Sequence, residues 1–161
     1  MAGARLTVEI TGVDEVERRL RALADAGHDL TPAMQDMGEY LVRTTKDRFA
    51  DEKGPDGAPW EPLSERTTAR KRRNSGRILT MDGYLGGQIV CQAGPREVVA
   101  GSPLIYAGTQ QFGAEKGSFG STAKGAPIPW GDIPAREFLG LSDADGDDLA
   151  DILHDYLERQ L

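Results

Sequence analysis

The sequence predicts an α+β domain: a small, mostly antiparallel sheet packed against two N-terminal helices and a C-terminal helix, with long loops. Three observations carry the prediction. Apolar residues alternate with period two at Leu6, Val8 and Ile10, and again at Ile89 and Cys91, as in half-buried strands. They recur at helical spacing from Val13, from Met34 and from Leu149. Finally, 161 residues include 20 glycines and 9 prolines and are only 39% hydrophobic, which implies a modest core with long excursions. A chain of this length fits one domain, residues 1–161, and buries roughly two-thirds of its unfolded surface.

The elements follow in order. Leu6, Val8 and Ile10 form a strand that stops at Gly12. Asp14 is the expected cap of a first helix striped by Val13, Val16, Leu20 and Leu23, which Gly27 ends. Thr31-Pro32 reads as an N-cap followed by proline in the first turn of a second helix reaching about Ala50. Met34, Met37, Gly38, Leu41, Thr45 and Phe49 line one side of it. The short link between the two helices predicts antiparallel packing against the strand.

Asp51 to Leu63 is a turn-rich loop in which Trp60 is the bulky residue expected to pin it to the core. Ser64 can cap a short helix reaching about Arg73, and Thr80 another, weakened by Gly83, Gly86 and Gly87. Ile89–Gln92, the Gly94-Pro95 turn and Val98–Ala100 make a hairpin. Tyr106 to Phe112 suits a helical turn. Residues 113–132 then run about twenty residues without periodicity, a length that marks a functional or disordered loop and here a candidate assembly arm. Ser142 opens a last helix carrying Leu149, Ile152, Leu153, Tyr156, Leu157 and Leu161, with acids in its first turn.

Charge is unevenly distributed. Residues 132–161 hold nine acids against Arg136 and Arg159, while the other 131 residues carry 17 charges of each sign. Among the latter, Arg66, Arg70, Lys71, Arg72, Arg73 and Arg77 form a basic run without an acid. A basic middle and an acidic end suit head-to-tail contact between identical subunits. Two solvated faces explain the same layout, since exposed ion pairs contribute only about 0–1 kcal/mol each.

Several function classes are disfavoured. No apolar run approaches the ~18 residues of a membrane span, and the N-terminus lacks the apolar stretch of a signal peptide. Cys91 stands alone, which suits folding in a reducing cytosol. Asp143, Asp145, Asp147 and Asp148 around Gly146 miss the calcium-loop spacing, because Leu141 and Ile152 would fall on ligand positions. His28 and His154 with one cysteine assemble no zinc set. Nucleotide-binding and nucleophile-elbow patterns are missing, so neither a cofactor nor catalysis is expected. The basic run has no interleaved aromatics, which favours incidental contact with DNA in a channel over sequence-specific recognition.

The remaining distinctive segment is IPAREFLGLS, Ile133 to Ser142, where Arg136 sits beside the apolar anchors Phe138, Leu139 and Leu141 just before a helix start. It reads as a clamp seating one segment against another. Arg136 can pair within its own domain or with a neighbouring subunit.

In the order FADEKGPDGAPWEPLSERT, KRR with ILTMDGYLGGQI, VAGSPLIYAGTQQFG and IPAREFLGLS, the chain resembles the phage virion morphogenesis family of tail completion proteins. The resemblance covers roughly residues 49–142. It departs from the family's pattern at Gln110 and Gln111, where a histidine is common before Phe-Gly, and at Met81-Asp82-Gly83, where Thr-Gly is usual. It implies a non-enzymatic virion protein of the tail and neck, made in the host cytoplasm and forming a homo-oligomeric ring, a hexamer favoured. Other tail, neck or connector proteins would be its partners. A tail terminator or head-side adaptor is the alternative, and an unrecognised DNA-binding or enzymatic phage protein a more distant one. The expected assembly or structural residues are Trp60, Arg70, Lys71, Arg72, Arg73, Tyr106, Phe112, Arg136, Phe138 and Leu139.

Overall fold

A computed structural model of the chain describes residues 13–160. The strand expected through Leu6, Val8 and Ile10 lies outside the described residues. The elements run α1 (Val13–His28), α2 (Thr31–Asp51), α3 (Glu65–Arg70), α4 (Tyr84–Gly87), β1 (Val90–Ala93), β2 (Val98–Gly101), α5 (Ala107–Phe112) and α6 (Asp143–Glu158). The fold is α+β, as the periodicities predict.

The long helix α2 organises it. The helix packs against β1, β2, α4 and α6. Pro32 lies in its first turn, but the cap position is Leu30, and the Thr31 N–H donates to Asp29 Oδ1 at 2.9 Å. Ala33, Met37, Tyr40, Thr45 and Phe49 are buried along it, while Met34 and Leu41 are only half-buried. At Gly38 an added Cβ would lie 2.8 Å from Cys91 Sγ. That glycine therefore lets the helix come down onto the sheet.

β1 and β2 pair antiparallel, Val90 opposite Gly101 through Ala93 opposite Val98. Their outer face carries Val90 and Val99, both exposed. Ser64 caps α3 by accepting from the Thr67 N–H, but the helix stops at Arg70 rather than Arg73. Thr80 caps nothing. α4 starts behind Gly83, whose φ of 82° suits glycine.

Helix α1 departs furthest from expectation. It starts at Val13, so Asp14 belongs to its first turn, and Gly27 lies inside its last. Antiparallel packing on α2 is not found: Val16 and Leu20 are exposed, and α1 has no helix or strand packed along it comparably to those around α2 among the described residues. Its link is fastened elsewhere, by the Leu30 N–H to Pro95 O at the hairpin turn. Seven charged side chains among sixteen residues leave α1 a narrow apolar stripe with little area to bury.

The core gathers Phe49, Trp60, Ile78, Leu85, Ile89, Ala107 and Phe138. The Phe49 ring stands 5.3 Å from both Trp60, edge-on, and Phe138, tilted. On the far side α6 lies along α2, opened by a capping box between Ser142 and Asp145.

Residues 113–132 form a narrow folded excursion. Ala114 bridges Ile133 at its root and Ser121 bridges Pro127 near its tip. Between them the Phe119 N–H donates to Ile128 O and the Ile128 N–H to Gly120 O, each at 2.8 Å.

Candidate functional site

The segment Ile133–Ser142 threads between elements without joining a sheet, so side chains must satisfy its buried backbone groups. The Arg136 N–H donates to Gln110 O at 2.9 Å. The residue is 6% exposed, and its guanidinium donates from Nε to Glu61 O at 2.8 Å and from Nη2 to Pro62 O at 3.2 Å. Burial lowers the Arg136 pKa, opposed by the Glu61 carboxylate. Arg136 thus fastens the 61–62 segment of its own chain. Glu137 O accepts from Trp60 Nε1 at 2.8 Å, and Phe138 is fully buried next in line. Leu139 is half-buried against the same core.

Two residues essential to this arrangement were not anticipated. The buried Gln111 accepts at Oε1 from the N–H groups of Phe138 and Leu139, both at 3.0 Å, and donates from Nε2 to Leu139 O at 2.8 Å. Arg48 donates from Nη1 to Phe138 O and Gly140 O at 3.2 and 2.8 Å, and its Nη2 meets Asp145 Oδ2 at 2.5 Å. Neither has a spacing signature. The departure from histidine around Gln111 was the one available pointer.

Asp145 is buried and collects the Ser142 N–H and hydroxyl at 2.7 and 2.8 Å and the Tyr40 hydroxyl at 2.9 Å. Burial alone would raise its carboxyl pKa. The Ser142 and Tyr40 donors and the Arg48 charge outweigh that and hold it below the usual carboxylate range. Tyr40 also reaches Asp148 at 2.6 Å, and burial together with the two carboxylates pushes its phenol well above the usual value.

The basic run divides by role. Lys71 Nζ donates to the carbonyls of Arg77 and Thr80, and burial lowers its pKa. Arg77 donates to the last carbonyls of α2, Phe49 O and Ala50 O, at 2.9 and 3.0 Å. Arg66, Arg70, Arg72 and Arg73 stay exposed, Arg73 being 3.8 Å from Asp82. Helix α6 presents exposed Asp143, Asp147, Asp151, Asp155 and Glu158.

Beside the clamp lies a pocket of about 520 Å³, lined among others by Lys71, Tyr106 and Arg136. It unites three of the expected residues. Trp60 and Phe138 meet instead through Phe49 in the core, while Phe112, 79% exposed, and Arg70, Arg72 and Arg73 lie outside the pocket lining. Among the described residues no His, Cys, Asp and Glu cluster could hold a metal ion, and no helix is long and apolar enough to cross a membrane. The arrangement provides rigid cross-ties, a pocket and oppositely charged surfaces.

Known proteins point the same way. The family model described as the phage virion morphogenesis family matches residues 11–158. A protein of Escherichia phage Mu, provisionally named capsid assembly protein G, is 34% identical over 109 residues. That match covers 65% of this chain and 65% of the relative, so it spans less than two thirds of the relative's length. No solved structure matches. Matched along nearly its whole described length, this chain belongs to the phage virion morphogenesis family, whose members serve the assembly of phage particles.

Proposed function

We propose that the chain is a structural, non-enzymatic subunit that completes the tail at its head-proximal end, in the neck region, as a homo-oligomeric ring with a hexamer favoured. The observation that carries this reading is the separation of exposed charge between two segments of the chain. Exposed Arg70 ends α3 and exposed Arg72 and Arg73 follow it, whereas exposed carboxylates run the length of α6. Surfaces that differ in place and sign favour a heterologous contact, which closes into a ring when the rotation allows. The Mu relative's name, with its reference to capsid assembly, supports a place near the junction with the head. Any DNA contact belongs to the exposed arginines and is incidental to passage through the ring.

Negative-stain microscopy of the purified chain, alone and with tails, tests the proposal. Annular particles, or tails capped at one end, are the expected result. Capping at the end that meets the head separates tail completion from a head-side adaptor, which would decorate heads instead. A monomer that binds neither tails nor heads and shifts duplex DNA would overturn the reading.

A further inference from the structure

We propose that the pocket beside Arg136 is the receptor for the residue 113–132 arm of a second copy of this chain. The inference rests on the ring reading and names the contact that would hold neighbouring subunits together.

The arm is built to be presented. Backbone bonds close it on itself from Ala114–Ile133 to Thr122–Ala126, so it leaves the body as a preformed finger. It exposes two large aromatics, Phe119 at 58% and Trp130 at 61%. Residues 116–131 carry Lys116 and Lys124 and no acid. An exposed finger with two aromatic anchors, and two lysines beyond the Glu115 and Asp132 of its root, has the composition of a docking element.

The pocket has the complementary character. Leu63, Met81, Tyr84 and Tyr106 supply apolar and aromatic walls around about 520 Å³, a volume in the range that seats large side chains. Its two cations are occupied, Lys71 by the carbonyls of Arg77 and Thr80 and Arg136 by those of Glu61 and Pro62. Against them the lining sets three carboxylates, Glu61, Asp82 and Asp132, an excess of one negative charge.

The geometry of one subunit keeps its own arm out. Residues 132–134 line the pocket, but no residue from 114 to 131 does. The root is fixed by the Lys116 N–H to Asp132 Oδ1 at 2.8 Å and by Gly113 at φ 76°. A Cβ on Gly113 would fall 2.7 Å from Ile133 O. The finger therefore starts at the pocket's edge, and its body contributes nothing to the pocket's lining. Because finger and receptor are different surfaces, each subunit can give one and take one, which is the arrangement a ring requires.

The test places a photo-reactive benzoylphenylalanine at position 119 in unlabelled full-length chain, mixed with an equal amount of ¹⁵N-labelled chain. Cross-links joining light to heavy copies, at Met81–Leu85 or Tyr106, are expected. The double variant Phe119→Ala, Trp130→Ala should remain folded by circular dichroism and raise the concentration needed for assembly by roughly tenfold or more. Cross-links confined to one copy overturn the proposal. Annular particles with cross-links elsewhere also overturn it, yet leave the ring reading standing. Failure to assemble, alone or on tails, removes both.

Discussion

Arg48 and Asp145, 97 residues apart in sequence, meet at 2.5 Å and join the end of α2 to the first turn of α6. The same guanidinium holds Phe138 O and Gly140 O, so one side chain fastens both long helices to the clamp between them. Both partners are largely buried, with side chains 10% and 6% exposed. Removing one leaves an uncompensated charge, which costs about 3–5 kcal/mol. Arg48→Met should therefore lose stability of that order in urea unfolding. A loss under about 1 kcal/mol, the worth of an exposed pair, would show that the junction is solvated.

Acid sensitivity follows from the same carboxylate. A carboxyl pKa depressed in the folded state contributes stability above the unfolded value, near 4, and loses it as pH falls through the folded value. Asp145→Asn should be less stable than wild type at pH 7 but lose less between pH 5 and pH 2. Tyr40 works at the other end. Its raised phenol pKa contributes stability below the unfolded value of about 10, lost as pH rises beyond it. Tyr40→Phe should flatten that alkaline limb. Parallel melting-temperature profiles for variant and wild type would remove either assignment.

Gln111 is the donor and acceptor that the clamp's backbone lacks. Gln111→Leu would strand two N–H groups and one carbonyl, and each buried unsatisfied group costs about 1–3 kcal/mol. A destabilisation of at least about 2 kcal/mol is expected, with Gln111→Glu milder at acid pH, where a protonated carboxyl still accepts from Phe138 and Leu139 and donates to Leu139 O. Equal losses for the two variants at that pH would mean that side-chain volume, not hydrogen bonding, matters there.

Order in the arm can be read amide by amide. Phe119 and Ile128 donate across the finger, so their amides should be protected from exchange even in an unassembled chain. Exchange at rates of an unstructured peptide would show an open loop that only assembly could close.

What could be read from the sequence was what short-range pattern encodes. The Pro32 start of α2, the Ser142 cap of α6 and the Gly94-Pro95 hairpin turn are local signals, and each element formed within a residue or two of them. Trp60 stood out as the sole bulky residue in its loop. The Gln111 and Arg48 ties bridge 28 and 97 residues, and no local period reports a pair that distant. The arm hid for a different reason: its ladder is mostly Gly, Ser, Thr, Ala and Pro, among which Phe119 and Ile128 set up no apolar alternation. Helix α1 shows the reverse failure, since its stripe predicts helix but not a partner for it.

The basic run can be tested selectively because its members differ in role. Reversing the whole of Arg70 to Arg73 would include Lys71, whose ammonium holds the carbonyls of Arg77 and Thr80, and would confuse folding with assembly. Arg70→Glu, Arg72→Glu and Arg73→Glu together touch only exposed side chains, where substitutions usually stay within about 0.5 kcal/mol each. If these arginines face the α6 carboxylates of a neighbour, the triple variant should fold with a near-native melting temperature and sediment as a monomer. Wild-type rings should weaken as salt rises, because exposed charges are screened beyond about 8–10 Å at moderate ionic strength. Charge reversal on α6, Asp147→Lys with Asp151→Lys, should then restore assembly when combined with the triple variant. Rings that form unchanged in the triple variant would assign cohesion to apolar contacts and leave the charge separation a property of two solvated faces.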